Sequence, residues 1–203
     1  MRRAVLSQRR DAVPGRDETR DALDVRLAAM LWQMGFLPLP LCSGIAEPER
    51  YVAALQPDVV VLTGGSDIGT TPPREATEAA LLALATHNGL PVLGICRGMQ
   101  MLNHSQGGRL VALPDHVATR HVVRGPLVPA GREVNSYHGL CVTPQGLGRD
   151  LAPLAQAPDG SIEALCHVRL PWLGVMWHPE REPHPDPEDM ALIARHLGQS
   201  HGD

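Results

Sequence analysis

The chain predicts an α/β protein with a mostly parallel central sheet flanked by helices and extended by antiparallel strands, on three observations. Two short runs, Val59-Val60-Val61-Leu62 and Leu90-Pro91-Val92-Leu93, are almost wholly apolar, as strands covered on both faces are. Segments with helical spacing alternate with such strands up to the stretch Met99 to Asn103, the pattern of a parallel sheet built by crossovers. After it, short strand-like pieces separated by Pro and Gly turns take over and indicate antiparallel additions.

Taken in order, Ala4 to Ser7 reads as a first strand. Glu18 to Met34 reads as a helix behind an Asp17 cap, because Leu23, Leu27, Met30, Leu31 and Met34 recur at helical spacing, and Gly35 ends it. Phe36 to Leu41 is the second strand, Pro48 to Leu55 a short helix, and Asp58 to Thr63 the third strand. A glycine turn, Gly64-Gly65-Ser66-Asp67, leads to a helix over Pro73 to His87 and to a fourth strand that ends at Cys96. Arg109 to Ala112, Val117 to Val123, Glu133 to Tyr137, Ile162 to Val168 and Leu173 to Trp177 are the later strand-like pieces, and Pro187 to Leu197 is a closing helix. Ligand sites of open α/β sheets lie at the carboxyl ends of strands, where both Gly64-Gly65 and Cys96 fall.

The 203 residues, 43% of them apolar, with 20 Gly and 19 Pro spread along the chain, are read as a single domain, 1–203. A net charge of -4 offers no basic field for nucleic acid, and one Phe, two Tyr and three Trp leave little for base stacking. All 18 basic residues are arginine, which excludes a lysine Schiff base and a P-loop lysine. The apolar run after Met1-Arg2-Arg3 is too short for a signal peptide and no later run reaches membrane-spanning length, so a cytoplasmic protein without membrane contact is expected. Cys42, Cys96, Cys141 and Cys166 show no C-x-x-C spacing and are read as thiols. His116, His121 and His184 have no metal-ligand spacing, so neither a metal nor a cofactor is expected.

Gly94-Ile95-Cys96-Arg97-Gly98 sits between an apolar strand and a helix-like stretch, which is how a nucleophile is displayed on a strained strand-to-helix turn with small residues on both sides. The helix N-terminus is expected to favour the thiolate of Cys96. A cysteine nucleophile needs a base, and the base a group that orients it. His178-Pro179-Glu180, after the strand Gly174 to Trp177, can supply both, the proline stiffening the turn so that imidazole and carboxylate point into one cleft.

With these residues in view, G-I-C-R-G-M-Q (94–100) and G-V-M-W-H-P-E (174–180) resemble the class I glutamine amidotransferase superfamily. Leu62 to Ile68, Val134 to His138 and Asp159 to Ala164 are similar to its branch of γ-glutamyl hydrolases, which includes the γ-glutamyl-γ-aminobutyrate hydrolases. The resemblance implies the flavodoxin-like fold of that superfamily and an attack by Cys96 on a γ-glutamyl amide, with His178 passing protons and Glu180 orienting it. It assigns the oxyanion to the backbone N–H groups of Gly65 and Arg97, and contacts with the glutamyl group to Gln100, Asn135, Ser136, Tyr137 and His138, the last equally readable as structural.

The chain departs from the γ-glutamyl-γ-aminobutyrate hydrolases in having few residues after Asp67, in lacking Trp-Gln after the His138 block and in Met176 before Trp177, so a different acceptor pocket is expected. Arg16 to Asp24, after Ser7 to Arg10, is similar to the smaller γ-glutamyl-CDP-amidate hydrolases, whose substrate carries a cytidine diphosphate. Arg16 and Arg20 then suit that diphosphate, or else, with Arg26, pair with Asp17, Asp21 and Asp24 on a solvated helix face. The resemblance therefore implies a small γ-glutamyl substrate, γ-glutamyl-CDP-amidate, hydrolysed through a γ-glutamyl thioester to glutamate and cytidine diphosphoramidate for surface polysaccharide modification, with hydrolysis of γ-glutamyl-γ-aminobutyrate and ammonia supply to a separate synthase as the alternatives. No partner is implied beyond a second copy in a homodimer.

Overall fold

The computed structural model describes residues 1–198. Strand β1 (Arg2–Leu6) is followed by a hairpin, β2 (Arg9–Ala12) and β3 (Thr19–Ala22), and then by helix α1 (Val25–Gln33). The alternating half continues through β4 (Phe36–Pro40), α2 (Pro48–Leu55), β5 (Val59–Leu62), α3 (Pro72–Asn88), β6 (Val92–Ile95) and α4 (Arg97–Ser105). The second half holds β7 (Val111–Ala112), β8 (Val117–Gly125), β9 (Val128–Tyr137), β10 (Leu140–Cys141), β11 (Leu151–Gln156), β12 (Ile162–His167), β13 (Trp172–Val175) and α5 (Pro187–His196).

Nine strands form one sheet in the order β4-β1-β5-β6-β13-β12-β11-β8-β9. The first five run parallel and the remaining four antiparallel, so the expected α/β class with antiparallel additions is what the chain adopts. The period-2 geometry of β5 explains its unbroken apolar sequence. Val59 and Val61 face a core shared with Leu27, Met30 and Leu31 of α1 and Ile193 of α5. Val60 and Leu62 face the opposite core, with Val52 of α2, Leu81 and Ala85 of α3, and Met99 and Leu102 of α4.

Three sequence expectations are corrected. The helix expected from Glu18 begins only at Val25, where the Asp24 side chain accepts from the Arg26 N–H at 3.0 Å as its N-cap, and Thr19–Ala22 pairs instead with Arg9–Ala12. Its apolar periodicity was sound from Leu27 onward. β13, read as an antiparallel addition, is the seam of the sheet: Gly174 pairs parallel with Gly94 of β6 and antiparallel with Leu165 of β12. β11 escaped notice because Pro153 and two register irregularities break its alternation.

Candidate active site

Cys96 lies between β6 and α4 with φ 52 and ψ −109, one of only four non-glycine residues with positive φ among the described residues. Its flanking glycines are sterically required. A Cβ on Gly98 would stand 2.0 Å from the Leu62 carbonyl oxygen, and one on Gly94 would stand 2.7 Å from the Gly98 backbone. The turn is fixed by the Cys96 N–H donating to the Val175 carbonyl at 2.8 Å and the Gln100 N–H donating to the Cys96 carbonyl at 3.1 Å. The sheet therefore holds the backbone in a conformation that a cysteine would not adopt alone.

His178 follows β13, the strand beside β6, so strand order alone brings it next to Cys96. Its Nδ1 meets Glu180 Oε1 at 2.6 Å, with both side chains buried. With the carboxylate accepting, the proton sits on Nδ1 and Nε2 is left as the basic nitrogen. A Cβ placed on Gly64 would lie 3.7 Å from that Nε2 and 3.9 Å from the Cys96 Cβ, so the three residues crowd one point. Asn135 of β9 holds the His178 backbone from both sides, its Oδ1 accepting from the His178 N–H at 2.9 Å and its Nδ2 donating to the His178 carbonyl at 2.9 Å. Tyr137 stands edge-on to the His178 ring, with centroids 5.8 Å apart, and carries the Arg181 guanidinium over its own face at 4.9 Å.

Burial pushes the Cys96 thiol up to about 12, against the opposing pull of the Arg97 N–H and the Arg181 charge. This corrects the expectation of a thiolate favoured by the helix N-terminus: desolvation of a sulfur that is 6% exposed outweighs one end of a nine-residue helix. The resting side chain of Cys96 is therefore a neutral thiol.

The segments carrying the Gly65 and Arg97 N–H groups are tied together by residues that sequence reading passed over. Glu78 of α3 is fully buried between two guanidiniums, accepting from Arg74 Nε at 2.8 Å and from Arg97 Nη1. Arg74 donates onward to the carbonyls of Thr63 at 2.6 Å and Gly64 at 3.1 Å, and Arg97 to that of Ser66 at 3.1 Å. In the sequence, Arg74 and Glu78 look like an ordinary i,i+4 surface pair, and only burial marks them as structural.

The other expected site residues divide. Gln100 is 2% exposed; its Nε2 donates to the Leu140 carbonyl at 2.8 Å and its Oε1 has no hydrogen-bond partner, leaving a buried acceptor. The Ser136 hydroxyl donates to the His116 carbonyl at 2.6 Å. The His138 ring is turned inward, with Nδ1 against the Leu140 carbonyl at 3.2 Å and Nε2 3.5 Å from Glu163. Arg16 and Arg20 belong to the β2–β3 hairpin and pair with Glu18, Arg20 at 2.6 Å. They do not line the cleft beside Gly64 and Gly65, a space of about 200 Å³ whose basic residues are Arg9 and Arg181. A wider cleft of about 750 Å³ between β9 and α5 has no cysteine or histidine in its lining.

A strained cysteine at the end of a central parallel strand, backed by a carboxylate-oriented histidine from the next strand, defines a class of cysteine-dependent acyl-transfer sites. The family model for glutamine amidotransferase class-I matches residues 42–197, and the chain belongs to that family. A gamma-glutamyl-CDP-amidate hydrolase of Campylobacter jejuni is 31% identical over 153 residues, covering 72% of each chain. A glutamine amidotransferase-like protein of Lactococcus lactis is 32% identical over 157 residues, covering 61% of this chain and 66% of that one. Among solved structures, a glutamine amidotransferase of Thermotoga maritima shares the fold with a TM-score of 0.66 at 14% identity, covering 96% of this chain and 83% of that one.

Because the free thiol is held neutral by burial, alkylation of Cys96 by iodoacetamide should accelerate with pH without reaching a plateau below about pH 10. Peptide mass spectrometry over a pH series checks this, and a plateau near neutrality would mean a preformed thiolate.

Proposed function

We propose that the protein is a cysteine-dependent hydrolase of γ-glutamyl amides, acting as a free-standing single domain in the cytoplasm, with γ-glutamyl-CDP-amidate as its preferred substrate. Glutamate and cytidine diphosphoramidate, a donor for surface polysaccharide modification, are the products. The observation that carries the reading is the convergence of the Cys96 elbow with His178, itself held by Glu180 at 2.6 Å.

In this mechanism the thiol proton of Cys96 passes to His178 Nε2 as sulfur attacks the γ-carbonyl carbon. The tetrahedral oxyanion is received by the N–H groups of Gly65 and Arg97, preorganised by the Arg74–Glu78–Arg97 network. His178 then protonates the leaving nitrogen, which departs and leaves a γ-glutamyl thioester. Water attacks the thioester, giving its proton to His178; glutamate leaves and the thiol is restored. Glu180 keeps the imidazole in the required tautomer and offsets its charge. The buried acceptor Gln100 Oε1 suits the α-ammonium of the glutamyl group. Asn135 acts through the His178 backbone, while Ser136 and His138 shape the wall behind the glutamyl end.

The leaving group faces the cleft of Arg9, Asp24 and Arg181. Two guanidiniums at a cleft mouth favour a diphosphate over a neutral or aliphatic amine. Arg16 and Arg20 lie further out on the same hairpin and would reach the nucleotide only by leaving Glu18. An ammonia-supplying subunit would instead turn over glutamine best, and only with its synthase; a γ-glutamyl-γ-aminobutyrate hydrolase would be indifferent to the arginines.

Assayed side by side on γ-glutamyl-CDP-amidate, γ-glutamyl-γ-aminobutyrate and glutamine, the purified protein should show its highest kcat/KM on the first. Cys96→Ala should lower all turnover by at least about 10³-fold while the fold persists, and Glu180→Gln by less. Undiminished turnover in Cys96→Ala would overturn the mechanism. Replacing Arg9 and Arg181 by Ala together should raise KM for the nucleotide substrate by about tenfold and leave KM for glutamine nearly unchanged. Equal effects on both would assign the arginines to structure.

A further inference from the structure

Behind the glutamyl pocket, three histidines surround one fully buried carboxylate. Glu163 is 0% exposed; His116 Nδ1 stands 3.8 Å from its Oε1, His138 Nε2 3.5 Å from its Oε1, and His121 Nε2 3.4 Å from its Oε2. Four atoms of this cluster, His116 Nδ1, His121 Nε2, His138 Nε2 and Glu163 Oε2, are buried with no hydrogen-bond partner. Leaving four such atoms unpaired in one place is costly, since a buried polar group without a partner loses its full hydration. The spacings are long for hydrogen bonds, and one ligand atom from each of His116, His121 and Glu163 lies within 4.8 Å of the others, gathered around one centre. Around a tetrahedral ion with bonds of about 2.0–2.2 Å, ligand atoms stand roughly 3.3–3.6 Å apart.

We propose that this cluster is a structural site for a zinc-class divalent transition-metal ion, held by His116 Nδ1, His121 Nε2 and the Glu163 carboxylate, with His138 Nε2 beside the same carboxylate at 3.5 Å. The outer contacts are those of a metal centre. His116 gives its other ring nitrogen, Nε2, to Asp159 Oδ2 at 2.8 Å, and Asp159 is itself fixed by the Ser161 N–H at 2.9 Å and hydroxyl at 2.7 Å. His138 gives Nδ1 to the Leu140 carbonyl at 3.2 Å. Each ring is thereby set in the tautomer that leaves the inward nitrogen unprotonated, the carboxylate–histidine and carbonyl–histidine arrangement that orients metal ligands.

The local backbone gives a second, independent indication. His116 and His121 are five residues apart, which in a regular strand would send them to opposite faces. Ala118, at φ 54, is a bulge opposite the Tyr137–Ser136 step of β9, so β8 carries one extra residue and both histidines turn to the same side. Non-glycine strain of this kind persists where the surroundings require it. It also explains why chain spacing hides the site: the ligands come from the bulged start of β8 and from the distant β12, and the expectation of no metal rested on spacing alone.

None of the three ligands takes part in the proposed Cys96 reaction, so the ion's role would be structural. Its task would be to clamp the β8–β9 hairpin, joined to β11 by the single Gln156–Arg124 pairing, onto β12 of the central sheet. That hairpin carries Asn135, the residue that holds the His178 backbone, and leads through His138 to Leu140 of β10, whose carbonyl serves both His138 and Gln100.

The test uses untagged full-length protein, stripped with chelator and titrated with Co²⁺ and then Zn²⁺. One equivalent of Co²⁺ per chain is expected, with the intense visible absorption of a four-coordinate site, displaced by Zn²⁺, and with a rise in Tm on Zn²⁺ addition. Asp159→Asn, which leaves all three ligands in place, should weaken binding by about 10–100-fold, and Glu163→Gln should weaken it further. Absence of stoichiometric uptake by the wild-type protein, or uptake that Asp159→Asn leaves unchanged, would overturn the assignment.

Discussion

The candidate site rests on one buried carboxylate. Glu78 is shielded from solvent between Arg74 and Arg97, which are themselves 1% exposed. Buried charges are tolerable only when paired, and here Arg74 and Arg97 also donate to the carbonyls of Thr63, Gly64 and Ser66, while Arg97 Nη2 stands 3.8 Å from Glu75. One consequence is that the loop after β5 and the first turn of α4 cannot move independently. Under the proposed mechanism these are the two sources of oxyanion donors, and their value depends on needing no reorganisation when charge develops. Removing either arginine would leave the buried carboxylate with one partner in place of two, so under that mechanism structure and catalysis are coupled through α3.

The elbow adds a constraint of a different kind, in volume rather than charge. Gly98 packs against the Leu62 carbonyl and Gly94 against the Gly98 backbone, so β5, β6 and α4 approach as closely as backbone allows. That closeness buries Cys96 and raises the energy of its thiolate. A nucleophile kept neutral until a base accepts its proton is protected from adventitious oxidation and alkylation, and it becomes reactive only with His178 in position. Positioning of His178 therefore matters as much as the thiol itself, and Asn135, Glu180 and the β8–β9 hairpin all contribute to it.

The sequence made the chemistry legible because that chemistry depends on local signals: glycines flanking a cysteine, a proline-stiffened His-x-Glu, apolar runs of strand length. The long-range features were not legible. The start of α1 turned on whether Asp17 or Asp24 caps the helix, and the Thr19–Ala22 pairing with Arg9–Ala12 decided it. β13 looked antiparallel because it follows an antiparallel strand, though its partner on the other side is the distant β6. Arg74 and Glu78 resembled an exposed helix pair, and strand alternation would send His116 and His121 to opposite faces, which only the bulge at Ala118 reverses. Each case needed a contact remote in the chain. The same holds for Arg9 and Arg181, which reach the cleft mouth from opposite ends of the sequence while Arg16 and Arg20 pair elsewhere.

The central claim is that Cys96 becomes covalently acylated by a γ-glutamyl group. Acid quenching during turnover of a γ-glutamyl amide, followed by intact-protein and peptide mass spectrometry, measures this directly. The account predicts a mass gain of one glutamyl group, located on the peptide carrying Cys96 and discharged by hydroxylamine. Steady turnover with no adduct on Cys96 at any quench time, together with an adduct on another residue, would contradict it.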